Sequence, residues 1–328
     1  MNLLRFGIIG SGGMAHARAE RIIKNPRSQL TCVASRNPST GQVLADACGV
    51  PFLPDWRSLI SHAHVDAVLV ATHQNTHALM CLNALQGGKH VFTESPMALC
   101  ADDADALIQC VRDTNRILRI GHTSVLHSVH TIMKQEIGKI GKIMFAVMHV
   151  HWSEDTDSKQ NVAFQTEVSG HPFFMGATLA FPLFDLCSEV AWIDAYSSFR
   201  NLDAAGRFDD CVATMQIGFA QGGIGQVIYA RGLSQPGGGR RRFVGSLGSL
   251  EFRDGDPNVL KISTTGDVCL PIPDVDAWQL EVDDFVDAVL DGSPMLISPE
   301  AARCVVTIAE AAVASATEGQ RIMLPSIY

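Results

Sequence analysis

Leu3 to Ile9 is a short, nearly continuous apolar run, the pattern of a strand buried on both faces, and from Met14 to Ile23 the apolar spacing becomes helical. The same alternation continues down the first third of the chain. Gln29 to Ala34, Val65 to Ala71, Lys89 to Thr93 and Ile117 to Ile120 read as further strands. Thr40 to Ala47, a short helix opened by Pro54-Asp55-Trp56, Ala78 to Leu85 and Ala101 to Thr114 read as the intervening helices, the last with acids near its N-terminal end to match the helix dipole. Repeated strand-helix units of this length predict a parallel sheet, whose ligands bind outside the carboxyl ends of the strands.

Past Gly141 the pattern changes. Lys142 to Trp152 reads as a long strand, Ser153 to Gly170 as a polar loop or lid, and Pro172 to Val190 as a mostly apolar helix that Pro182 kinks or interrupts. Six strands separated by Gly-rich turns follow: Ala195 to Arg200, Cys211 to Phe219, Ile224 to Arg231, Arg241 to Val244, Ser249 to Arg253 and Val259 to Ser263. They predict an open, largely antiparallel sheet, covered by helices over Ala277 to Leu290 and Pro299 to Ala316. The expected division is residues 1–121 for the first domain and 122–328 for a second α+β domain, with a C-terminal helix packing back on the first.

Composition narrows the classes. A chain of 328 residues, 47% hydrophobic and 18% charged, has a soluble composition, and its formal net charge of −9 argues against a nucleic-acid or anionic-membrane surface. A small molecule is the expected partner. Nine Cys without CxxC or zinc spacing, several inside apolar runs, suit reduced thiols in a cytoplasm, and no metal site is expected. The apolar N-terminus is too short for a signal peptide and runs directly into a glycine turn.

That turn carries the chemistry. Gly10-x-Gly12-x-x-Ala15, between strand and helix, fits the dinucleotide fingerprint with Ala last: Gly10 permits a tight turn, and Gly12 has no Cβ to obstruct a pyrophosphate held on the helix N-terminus. Gly10, Ser11, Gly12, Gly13 and Met14 are therefore the expected pyrophosphate loop. Where a dinucleotide site usually places an acid, the second strand ends in Ser35-Arg36. A hydroxyl and a guanidinium suit a ribose 2′-phosphate, so NADP is preferred to NAD. Thr72 to His77, Glu94 to Pro96 and Gly121-His122 fall at the same rim of strand ends.

The chain resembles the Gfo/Idh/MocA oxidoreductases nearly end to end. The resemblance rests on Gly10 to Ala15, on Val65-Asp66-Ala67-Val68 followed by Thr72 and His77, on Ala84 to Leu99 with its Thr93-Glu94-Ser95-Pro96, and on Val244 to Glu251. It implies an N-terminal Rossmann doubly wound parallel sheet and a C-terminal α+β domain whose open sheet forms homo-oligomer contacts. Thr72 and His77 would lie toward the nicotinamide half, with Glu94 and Ser95 close to the ring. For Thr72 and His77, helix capping and packing is the competing reading.

The family's catalytic residues do not carry over. Its usual Glu-Lys-Pro reads Glu94-Ser95-Pro96, and aligning Gly176 and Asp185 puts Thr178 and Pro182 where the family has Asp and His, leaving Asp185 alone. Val125 stands near a position that is commonly Arg. Ser95, Asp185 and His122 are the catalytic candidates, His122 as replacement base because an imidazole near pKa 6.5 suits proton transfer at neutral pH. His149 and His151, two apart on one strand, and His171, at the end of the polar loop, are further candidates. Arg231 and Gly237-Gly238-Gly239-Arg240-Arg241-Arg242 would select a carboxylated substrate if they faced the pocket; a solvated hairpin is the competing reading.

The expected activity is NAD(P)-dependent hydride transfer to or from a secondary alcohol or hemiacetal carbon of a small polar ring compound, such as a sugar, polyol or dihydrodiol. The alternative is a nucleotide-binding homologue without turnover, acting as a sensor or partner subunit.

Overall fold

The computed structural model describes residues 3–153 and 161–325. The expected lid over Ser153 to Gly170 lies partly outside them. Two compact units result, Met1–Thr123 with Asp276–Arg303, and Ser124–Val275 with Cys304–Tyr328.

In the first unit the chain runs β1 (Leu4–Ile9), α1 (Gly13–Lys24), β2 (Ser28–Ala34), α2 (Pro38–Cys48), β3 (Phe52–Leu53), α3 (Trp56–Ile60), β4 (Ala67–Val70), α4 (Gln74–Gln86), β5 (His90–Glu94), α5 (Ala101–Thr114) and β6 (Leu118–Gly121). The sheet order is β3-β2-β1-β4-β5-β6, with every pair parallel, the doubly wound arrangement predicted from the alternation. Caps set the helix starts. Asn37 accepts from the Ser39 and Thr40 amides to begin α2, and Asp55 accepts from the Arg57 amide to begin α3.

The second unit holds α6 (Ser128–Glu136), β7 (Ile143–Ser153), α7 (Thr166–Ser169), α8 (Pro172–Leu179), α9 (Phe181–Leu186), β8 (Val190–Arg200), β9 (Asp210–Phe219), β10 (Ile224–Leu233), β11 (Gly238–Gly245), β12 (Gly248–Arg253), β13 (Asn258–Ser263) and β14 (Val268–Pro271). After it come α10 (Ala277–Asp291), α11 (Pro299–Glu318) and β15 (Ile322–Met323). Pro182 marks a boundary rather than a kink: α8 stops at Leu179 and the proline sits in the first turn of α9, where its missing N–H costs nothing.

The second sheet is ordered β14-β13-β12-β11-β7-β10-β9-β8-β15. β7 lies between two meanders, and its pairing with β10 is the one parallel contact among the described strands of this sheet. Register fixes the faces. Met148 stands beside Val227 and Met215, on the side where α8 brings Gly176 against Tyr229. The opposite side carries Phe145, Tyr196, Val212 and Ile224, which are 39%, 66%, 42% and 49% exposed.

α10 belongs to the first unit, although it lies within the 122–328 segment expected for the second domain. Its Val282, Phe285 and Val286 join Phe6, Ile8, Leu69 and Phe92 in one core, with the Phe285 ring 5.7 Å from both Phe6 and Phe92. Val282, Phe285, Val286 and Val289 follow the i, i+3, i+4, i+7 spacing of an apolar stripe, and the parallel sheet supplies the face they need. The nine cysteines are free thiols, and among the described residues no helix is long and apolar enough to cross a membrane.

Candidate cofactor site and the groups beneath it

Gly10 lies at φ +126°, and a Cβ there would come within 2.1 Å of the Ala71 carbonyl oxygen, so the backbone leaves β1 by a path that only glycine can follow. Two residues on, the situation reverses. Ideal Cβ positions at Gly12 and Gly13 meet no atom within 4 Å, and both residues are exposed. α1 then begins with Gly12 as its N-cap, no side chain on its first amides and no acid in its first turn. The result is an open cradle of N–H groups with positive helix-end potential, which fits a pyrophosphate.

Ser11 ties this loop to the tip of β2. Its hydroxyl is 2.7 Å from Ser35 Oγ and 2.7 Å from Thr40 Oγ1, a cluster in which Thr40 was not anticipated. Arg36 is exposed beside it and makes no hydrogen bond or ion pair with the described residues. Its charge reaches His73 at the start of α4 and, after burial, helps lower that imidazole's pKa. The tip of β2 therefore offers hydroxyls and a guanidinium. Met14, in the first turn of α1, is 40% exposed.

Thr72 and His77 hold the next turn together. His77 is 1% exposed, with Nδ1 2.8 Å from the Pro96 carbonyl and Nε2 3.2 Å from the Thr72 carbonyl. Burial lowers its pKa, so the neutral ring has one N–H to give, and the shorter contact assigns it to Pro96. The imidazole thus clamps the end of β4 to the segment after β5, the packing role that competed with nicotinamide contact. Thr72 Oγ1 is 2.8 Å from Thr76 Oγ1.

Glu94, expected beside the nicotinamide, is committed elsewhere. Arg18 Nε donates to its Oε1 at 2.6 Å, and the same guanidinium donates to Glu281 Oε2 at 2.7 Å and to Thr123 Oγ1 at 3.3 Å. Thr123 in turn donates to Glu281 at 2.6 Å, Arg119 reaches Glu281 at 3.5 Å, and Arg119 also donates to Asp284. Arg18 lies 4.7 Å from the Phe92 ring and 4.3 Å from the Trp278 ring. Burial pushes the Glu94 carboxyl above its usual pKa, against the pull of Arg18. Sequence reasoning missed this network, although its signal was visible: Arg18 shares the stripe Ala15, Ala19, Ile22, and Glu281 shares that of Val282, Phe285 and Ala288. A charge on an apolar stripe demands a buried partner.

The catalytic candidates do not form one constellation. His122 is 2% exposed, and burial, with a further push from Arg119 against the pull of Glu281, lowers its pKa to about 4. A ring so held is a weak proton acceptor at neutral pH, which weighs against the expected rim base. Asp185 accepts from His130 Nε2 and Lys134 Nζ, both at 2.8 Å, and these bonds, the His130 one foremost, hold it at about 2. It is a fixed anion pinned to α6. Ser95 is half-buried at the tip of β5. His171 caps α8 by accepting from the Phe173 amide and is held at about 4 by burial, while His149 and His151 stack on each other with Nε2 and Nδ1 2.9 Å apart. Among the described residues no three His, Cys, Asp or Glu side chains gather to hold a metal.

Comparison with known proteins places this geometry. Residues 4–122 match the Gfo/Idh/MocA model, described as an oxidoreductase family with an NAD-binding Rossmann fold. The inositol 2-dehydrogenase of Rhizobium meliloti (strain 1021) is 23% identical over 338 residues, 98% of this chain and 99% of that protein. Biliverdin reductase from Synechocystis sp. PCC 6803, solved with biliverdin and NADP+, superposes with a TM-score of 0.89 at 26% identity, over 96% of this chain and 99% of its own. Levoglucosan dehydrogenase, solved with NADH and L-sorbose, shares the fold with a TM-score of 0.89 at 20% identity, over 99% of this chain and all (100%) of its own. Through residues 4–122, and at 23% identity over nearly its whole length, the chain is similar to the Gfo/Idh/MocA oxidoreductases.

Proposed function

We propose that this protein is an NADP-preferring oxidoreductase that moves hydride between nicotinamide C4 and a secondary alcohol or hemiacetal carbon of a small polar ring compound. The observation that carries the reading is the cradle at Gly10 to Met14: a turn only glycine can make, followed by bare helix amides with open space in front of them. Those amides would hold the pyrophosphate, and Ser35 and Arg36 the adenosine ribose side, where two hydroxyls and a guanidinium suit a 2′-phosphate. A bound nicotinamide supplies or accepts the hydride. The activities of similar proteins, on inositol for example, support a sugar or polyol class of substrate.

Proton transfer is where this chain departs from its family. Ser95 stands in the lysine position, Thr178 and Pro182 in those of Asp and His, while Asp185 is pinned and His122 is buried. A well-placed base is worth about 10²–10⁴ in rate, so the reading favours substrates whose oxidised form is intrinsically stabilised, a lactol going to a lactone or a dihydrodiol becoming aromatic. Ser95 supplies a hydroxyl for orienting such a substrate. The exposed apolar residues on the second sheet, Phe145, Val212 and Ile224, fit contact with a second copy of the chain.

Nicotinamide absorbance followed across polyols, sugar lactols, dihydrodiols and hydroxy acids, with NADP and with NAD, tests the assignment. Turnover with a lactol or dihydrodiol, at a higher kcat/KM with NADP, is expected. Nucleotide binding without turnover on any member would favour the sensor or partner-subunit reading.

A further inference from the structure

β11 carries Arg240, Arg241 and Arg242 in succession, and a strand sends alternate side chains to opposite faces. Register places Arg240 opposite His149 and Arg242 opposite Val147, and both are taken up by one carboxylate: Arg240 Nη2 is 2.8 Å and Arg242 Nε 2.7 Å from Glu251. Arg241 points the other way, opposite Met148 on one side and Phe252 on the other. Both of those neighbours are apolar. Its Nη1 is closed off from solvent and has no hydrogen-bond partner among the described residues.

Among the described residues no carboxylate is hydrogen-bonded to this cation. Asp254, whose charge reaches it, belongs two residues farther along the same face and lies over Gly239, where a Cβ would meet its Oδ2 at 2.7 Å. Burial outweighs that attraction and lowers the guanidinium's pKa. Arg231, on the same face by register with Trp152, is engaged otherwise: it stacks 4.7 Å from Trp152 and 5.5 Å from Phe164 and donates to the Ala163 carbonyl at 3.3 Å. Thr178 Oγ1, on the helix that covers this face, is likewise buried without a partner. A guanidinium N–H closed off from water without an acceptor, as Arg241 Nη1 is, is costly, and a ligand carboxylate is an acceptor whose geometry matches the fork.

We propose that Arg241 is the carboxylate-recognising residue of a substrate subsite in the second unit, so that the ring compound this oxidoreductase acts on carries a carboxylate. The proposal rests on the oxidoreductase reading for its substrate but not for its test. Binding is measured by calorimetry, with and without NADP, for matched probes that differ in charge: D-glucuronate against D-glucose, quinate against myo-inositol, benzoate against benzyl alcohol. The wild type should bind the acid of at least one pair tenfold or more tightly than its neutral partner. Arg241→Gln should abolish that preference, Arg241→Lys should keep part of it, and Arg240→Gln should keep it all, with melting temperatures confirming that each variant is folded.

Absence of any preference in the wild type, or its survival in Arg241→Gln, overturns the proposal. So does a fall in NADP affinity in Arg241→Gln, which would assign the guanidinium to a nucleotide phosphate instead. A carboxylate preference that depends on Arg241 in a protein that binds no nucleotide would support the subsite and end the oxidoreductase reading, so the two fail separately.

Discussion

The loop at Gly10 to Met14 and the α8–α9 segment of the second unit were both expected, from the resemblance, to be functional positions, and they differ sharply. At the first, every steric requirement is in place: a positive φ at Gly10, bare positions at Gly12 and Gly13, free amides on α1. At the second, Thr178 is buried with an unpartnered hydroxyl, Pro182 lies inside the turn of a new helix, and Asp185 is paired with His130 and Lys134. The contrast teaches that nucleotide binding depends on backbone shape, which a few glycines specify, whereas proton transfer depends on side chains whose environment the whole fold decides.

The steepest way to break the comparison is at its rigid point. Gly10→Val would drive a Cβ into the Ala71 carbonyl at a φ that valine does not tolerate, and a loss of more than about 4 kcal/mol in denaturant unfolding is expected. Unchanged stability would mean that the turn is not as tight as described.

Next in size is the network below the loop. Glu281→Ala leaves Arg18 and Arg119, both fully buried, without their shared carboxylate, and should cost about 3–5 kcal/mol. A loss under about 1 kcal/mol would show that Glu94 and Asp284 suffice to neutralise the two arginines.

Acid should expose the buried imidazoles. His90, His122 and His171 are each held at about 4 inside the fold, burial being the largest cause, against about 6.5 in an unfolded chain. Between those values the unfolded state binds protons that the native state does not. Stability is therefore intact above pH 6.5 and falls as pH drops toward 4, with about 2–3 protons taken up on unfolding near pH 5. At His90 and His171 protonation would also have to displace a backbone N–H that Nδ1 accepts, from Ile117 and Phe173. A flat stability profile from pH 7 to 5 would contradict the burial of these rings.

The smallest effect belongs to Asp185. Asp185→Ala should lower stability by about 1 kcal/mol through lost pairing with His130 and Lys134, while leaving the pH profile of kcat as it was. A displaced acidic limb in that profile would return Asp185 to the chemistry.

Local signals made most of this fold legible in the sequence. The six antiparallel strands expected between Ala195 and Ser263 each fall inside an observed strand, because alternation and glycine turns act over a few residues. β3, β14 and β15 are too short to show a period, and α6 was not anticipated. α10 was expected in the second segment because sequence order is silent about which sheet an apolar stripe will find; Phe285 found Phe6 and Phe92. The glycine turn after β1 was readable for the reason that Gly10 and Gly12 answer to local sterics. The destinations of Glu94, His122 and Asp185 were not, since Glu94 and Asp185 are fixed by residues distant in sequence, Arg18 and His130, and His122 is set by its burial in the fold.

Calorimetric titration of NADP and NAD into the wild type and Gly12→Val tests the central claim most directly. A Cβ at Gly12 meets nothing in the protein, so the variant should melt with the wild type. The account predicts that the wild type binds NADP more tightly than NAD and that the variant loses about tenfold or more in affinity for both, since its side chain fills the space before the α1 amides. Equal affinities in the two proteins, or no heat from either nucleotide with the wild type, would contradict it.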